Sequence, residues 1–194
     1  MNIPLQLIVF GGIALLYVIY RRLRGDPWRE ALSKVGLRGS PAVYYLWALG
    51  VVVIIAALSA LVFRFIPADL LNDPQIAQSA YTGLALTAAN VARVFLIEAL
   101  TVALGEELFF RGLLGGALMR RFGFVIGNLI QSLLFLLPHL FLLTASARLG
   151  LLLPVQWLAG WLQGWLFWRS KSMLPGWLAH TLINTLSAMG QMAG

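Results

Sequence analysis

The chain of 194 residues contains no cysteine, only two histidines and only seven acidic residues. Without cysteine there is no disulfide, no thiolate metal ligand and no cysteine nucleophile. With histidine confined to His139 and His180, a His-Glu-x-x-His zinc helix is also excluded. Charge of either sign is sparse: 11% of residues are charged, against about 25% in an average soluble domain. What fills the chain instead is apolar, 60% hydrophobic with a mean hydropathy of +0.86. Composition therefore predicts an all-α polytopic membrane protein, with residues 1–194 forming one membrane domain. The formal charge of +7 does not signal nucleic acid, because the basic residues sit in short loops beside apolar segments. No internal, inverted or low-complexity repeat is visible, which argues against a secondary transporter.

Six apolar stretches, 3–20, 42–63, 84–118, 124–143, 150–168 and 173–190, approach or exceed the roughly 20 residues that a helix needs to cross the hydrocarbon core. The third is too long for a simple crossing, and is expected to tilt, break near Gly105 or extend beyond the membrane. The first lacks a basic n-region and is followed by Arg21-Arg22-Leu23-Arg24, a stop-transfer flank rather than a cleavage signal. Placing the N-terminus outside puts Arg21, Arg22, Arg24, Arg29, Lys34, Arg38, Arg120, Arg121, Arg169 and Lys171 on the cytoplasmic side. Only Arg64 and Arg148 then lie outside, while Arg93 and Arg111 fall within the third span. Between the first two spans, Asp26 to Lys34 reads as a short helix, either amphipathic on the cytoplasmic membrane face or an ordinary solvated connector. Asp26 would be its N-cap, Pro27 its first residue, and Gly36 or Gly39 its end.

Against this background, ionised residues inside spans stand out, since each costs about 2.5–3.5 kcal/mol on insertion scales. Glu107 and Arg111 are four apart, the spacing and order that pair on one helix face, so Glu107 reads as structural. Glu106 points about 100° away with no local counter-charge, which suits a general base. A purely structural ion pair with a spare glutamate is the alternative. Gly105 and Gly112 bracket this site and allow close helix approach. Gln131, Phe135 and His139 share one face of the fourth span, with Pro138 predicting a kink. His180 and Asn184 share a face of the sixth, as a pair of oxyanion donors or as interhelical hydrogen-bonders.

Glu-Glu-x-x-x-Arg at 106–111, Phe-x-x-x-His at 135–139 and His-x-x-x-Asn at 180–184, taken in order, resemble the CAAX protease and bacteriocin-processing (Abi) family. Type II CAAX prenyl endopeptidases belong to it, and the likeness spans a core of roughly residues 80–190. It implies an intramembrane endopeptidase of glutamic type. Glu106 and His139 would activate water, His180 and Asn184 would hold the oxyanion, and Glu107, Arg111 and Phe135 would support them. No metal is favoured; were zinc used, Glu106, His139 and His180 would be its ligands. The expected partners are the bilayer and a peptide or lipidated-protein substrate, the expected location a prokaryotic inner membrane. Oligomeric state is not readable from the sequence. The rival reading is a non-enzymatic immunity or scaffold protein that keeps the same cluster.

Counting about 1.5 Å per residue from the flanking basic residues places His180 near 13 Å, Glu106 near 21 Å and His139 near 27 Å deep. These depths converge if the Arg120–Arg121 hairpin projects about 10 Å into the cytoplasm, which would put the site in the cytoplasmic half. Arg93 and Glu98 lie about 140° apart and are expected to pair with other spans. Trp157, Trp161 and Trp165 form a row that fits packing, or a groove for a prenyl chain; Gln156 and Gln163 read as interhelical hydrogen-bonders.

Overall fold

A computed structural model describes residues 4–74 and 76–193, so residue 3, at the head of the expected first span, lies outside the described residues. Every regular element among the described residues is helical. Helix α1 covers residues 7–23, α2 is Trp28–Lys34 and α3 is Ala42–Phe63. Helix α4 runs over residues 88–122 and α5 over 124–136, α6 is Leu153–Ser170 and α7 is Leu174–Ala193. Short turns fill the connections, among them the 3₁₀ segments Ala77–Tyr81 and Leu137–Phe141.

Two stretches, Ala42–Phe63 and Ala88–Ala145, are long and apolar enough to cross a membrane. Helix α3 is apolar all round but buries only Ala48, Val51, Val52 and Ile55, against α6 and α7. Its remaining faces leave Leu46, Leu49, Val53, Ile54 and Leu61 exposed, a surface suited to lipid. The second stretch is folded back on itself at Gly123, whose φ of 78° and ψ of 170° interrupt the helix. A positive φ costs a side-chain-bearing residue dearly, and glycine removes that cost. The two arms then run antiparallel in close contact, because a Cβ on Gly127 would lie 2.5 Å from the Met119 backbone.

Helix α4 does not break at Gly105. It continues through that residue and widens on either side into π-helical segments, Glu98–Ala103 and Glu107–Gly115. Gly105 accepts the start of α1, since a Cβ there would be 2.6 Å from the Gln6 carbonyl oxygen. Gly112 accepts the end of α2, where a Cβ would overlap the Val35 carbonyl. Pro138, lacking an N–H, coincides with the tightening of α5 into 3₁₀ form. Asp26 is not the cap of α2: Pro27 holds that position, and the Asp26 carboxylate accepts from Arg21 Nε at 2.5 Å.

Two ends of the bundle can be told apart. At one, the Met173 amide donates to the Gly36 carbonyl at 2.9 Å, and Met119, Phe167 and Met173 pack with Leu37 and Phe124. The loops meeting there carry the ten basic residues assigned to the cytoplasmic side. At the other, Ile66 and Ile76 pack with Leu142, Leu149 and Leu152, and Gln191 Nε2 donates to the Leu71 carbonyl at 3.0 Å. The hairpin tip does not project beyond its neighbours as expected. The Phe124 ring lies 5.8 Å from Trp161 and 6.0 Å from Trp168, beside the last turns of α6.

Candidate active site

Glu106 lies seventeen residues before Gly123 and His139 sixteen after it, so a tight hairpin brings them to one level. Equal arms, not a projecting tip, align this half of the site. Helix α7 brings His180 between the two adjacent carboxylates of α4. Its Nδ1 is 3.0 Å from Glu107 Oε1, and its Nε2 is 3.8 Å from Glu106 Oε2. Gly176, one turn earlier, makes this possible, because a Cβ there would be 2.9 Å from Glu107 Oε2.

Glu107 and Arg111 are fully buried and ion-paired, with Arg111 Nη1 3.2 Å from Glu107 Oε1. The same guanidinium donates to Gln163 Oε1 on α6 and stacks on the Phe135 ring, 4.1 Å from its centroid. A buried charge pair of this kind is tolerable only because each partner is compensated. Phe135 is the hub: its ring lies 5.3 Å from Phe110, 4.8 Å from His139 and 6.3 Å from His180. Glu107 thus does more than brace its own helix, since it also orients His180.

His139 Nδ1 is 2.9 Å from the Phe135 carbonyl. A carbonyl only accepts, so Nδ1 is the donor, and in the neutral ring Nε2 is the nitrogen left unprotonated. His180 donates from Nδ1 to Glu107 in the same manner. With Arg111 positive and Glu107 negative, the cluster of Glu106, Glu107, Arg111 and His180 is neutral when Glu106 and His180 share one proton.

Asn184 is held by Glu98, a residue whose partner is not evident from its place in the chain. Its Nδ2 donates to Glu98 Oε2 at 2.9 Å, while Tyr81 Oη donates to Glu98 Oε1 at 2.8 Å. Burial and the Glu98 carboxylate push the Tyr81 phenol up, so it remains a donor. The signal for Glu98 was its charge in an apolar run; its partners lie 17 and 86 residues away. Arg93 is exposed beside Tyr81 and does not join the site.

Glu98, Glu106, His139, His180 and Asn184 line one cavity of about 220 Å³, together with Gln6, Gln78 and Gln156. Its remaining wall comes from Ile76, Ala77, Val102, Pro138, Phe141, Leu142 and Leu152. These belong to the end opposite the basic loops, so the expected opening toward the basic, cytoplasmic half is not the one the lining gives. Gln131 stays outside, donating to the Gly160 carbonyl at 3.0 Å and tying α5 to α6. The tryptophan row forms no groove at the cavity: Trp165 stacks on Trp47 at 5.0 Å, and Trp157 and Trp161 lie 6.0 Å apart. Among the described residues, no three His, Asp or Glu side chains are grouped as a preformed metal cage.

A family model described as type II CAAX prenyl endopeptidase Rce1-like matches residues 88–186. No curated protein and no solved structure matches the chain.

Proposed function

The chain belongs to the type II CAAX prenyl endopeptidase Rce1-like family of membrane-embedded proteases, and we propose on that footing that it hydrolyses a peptide bond at the Glu106 cavity without a metal. The observation that supports this best is the gathering of Glu106, His139, His180 and Asn184 from α4, the turn after α5, and α7 around one cavity.

In this reading, a water held between the Glu106 carboxylate and His139 Nε2 loses a proton to Glu106 as its oxygen adds to the substrate carbonyl. The oxyanion receives the Nε2 proton side of His180 and the second Nδ2 hydrogen of Asn184. Glu106 then delivers its proton to the departing amine, the C–N bond breaks, and the carboxylate is restored. Glu107 keeps His180 oriented through Nδ1, and Arg111 holds Glu107 in place through their ion pair. Glu98 holds the Asn184 amide so that one hydrogen remains for the substrate.

An N-terminal peptide survey of membranes from cells with wild-type protein or Glu106→Gln, at matched levels, tests the proposal. New termini or shortened tails that vanish with Glu106→Gln are expected. Identical profiles from two folded, abundant proteins would favour a non-enzymatic scaffold. A prokaryotic inner membrane remains our assignment of location, on the short loops and the charge bias.

A further inference from the structure

The cavity is one-sided. From Glu106 toward Gly123, α4 runs about 26 Å through buried Phe110, Arg111 and Met119 with no lining residue. On the other side its wall includes Gln6, which packs on Gly105 at the level of Glu106, and reaches the segment Ile76–Gln78 and Phe141 at the far end of the bundle. None of the loop segments that carry the ten basic residues contributes to it. The far end holds Arg64 and Arg148 with Asp69 and Asp73, so the excess of positive charge lies wholly at the closed end. Lys and Arg excess in short loops marks the cytoplasmic face.

We infer that the catalytic chamber opens on the non-cytoplasmic face of the membrane and receives an extended peptide segment from that side. The volume, about that of seven waters, fits a short run of backbone. The carboxamides of Gln6, Gln78 and Gln156 both donate and accept, as peptide groups do. No basic residue lines the wall, so nothing there selects an acidic chain. A lipidated tail in the cytoplasm would be on the closed side. The direction of opening is independent of the endopeptidase reading, whereas the identity of the occupant as a peptide rests on it.

The absence of native cysteine makes the test direct. Single variants Gln78→Cys, Val102→Cys and Arg121→Cys are treated with a membrane-impermeant maleimide, in intact bacterial cells and after the cells are opened. Gln78→Cys at the mouth and Val102→Cys in the wall should label in intact cells, with Arg121→Cys labelling only once they are opened. Ala77→Cys serves if Gln78→Cys is not produced. Labelling of Arg121→Cys alone in intact cells would overturn the inference by inverting the orientation. Labelling of Gln78→Cys from outside with Val102→Cys reached only in opened cells would overturn it by placing the entrance elsewhere. The expected pattern with no proteolysis in the peptide survey would leave the opening intact and remove the endopeptidase reading.

Discussion

Glu106 and Glu107 are neighbours in the chain and opposites in the fold. Glu107 is fully enclosed and meets Arg111 and His180; Glu106 is 7% exposed, lines the cavity and faces His180 Nε2 at 3.8 Å. The 100° between successive helix positions is enough to send one carboxylate into the packing and leave the other at the cavity wall. The lesson is that a repeated residue type in a membrane helix divides its labour by phase, with the paired member holding the geometry in which the unpaired one works.

The sharpest way to break the comparison is to neutralise each carboxylate in turn. Glu106→Gln should lower turnover by at least about 10²–10⁴, the contribution of a general base, with unchanged thermal unfolding in detergent. Arg111→Ala should act in the other sense, stranding Glu107 and destabilising the fold by about 3–5 kcal/mol, read as lost abundance in membranes. Gly112→Ala probes the seat beneath this pair: its Cβ would meet the Val35 carbonyl, and overpacking should cost about 1–3 kcal/mol. Glu98→Gln removes a charged acceptor from Asn184 and should reduce kcat about tenfold with KM unchanged, a split that general loss of packing would not give. Lys34→Ala, breaking the exposed pair with Glu30, should change stability by no more than about 0.5 kcal/mol in the same unfolding assay.

The parts of the molecule that were legible in the sequence are those set by short-range periodicity. Apolar runs place helices where α3, α6 and α7 lie, and residues four apart, such as Glu107 with Arg111 and Phe135 with His139, do face one another. What could not be read there depends on which helix sits beside which. Glu98 finds Tyr81 and Asn184 across helix contacts, and His180 settles between two carboxylates rather than beside one. Depth counting misplaced the three catalytic candidates because it treated each helix as independent, whereas the Gly123 turn fixes α4 and α5 to each other. The same neglect of packing hid the side on which the cavity opens, since its mouth is made by the Ile76–Gln78 segment, far in sequence from Glu106.

The one-residue turn at Gly123 also has a bearing on biogenesis. Only 33 residues separate Glu106 from His139, and the two arms zip directly from a single glycine, so closing that loop needs little chain entropy. Contacts so local in sequence form early in folding. Half of the chamber can therefore assemble as the hairpin enters the membrane, before the ribosome has supplied α7. Until His180 and Asn184 arrive, the nascent protein holds Glu106 and His139 without the α7 side chains that complete the cavity.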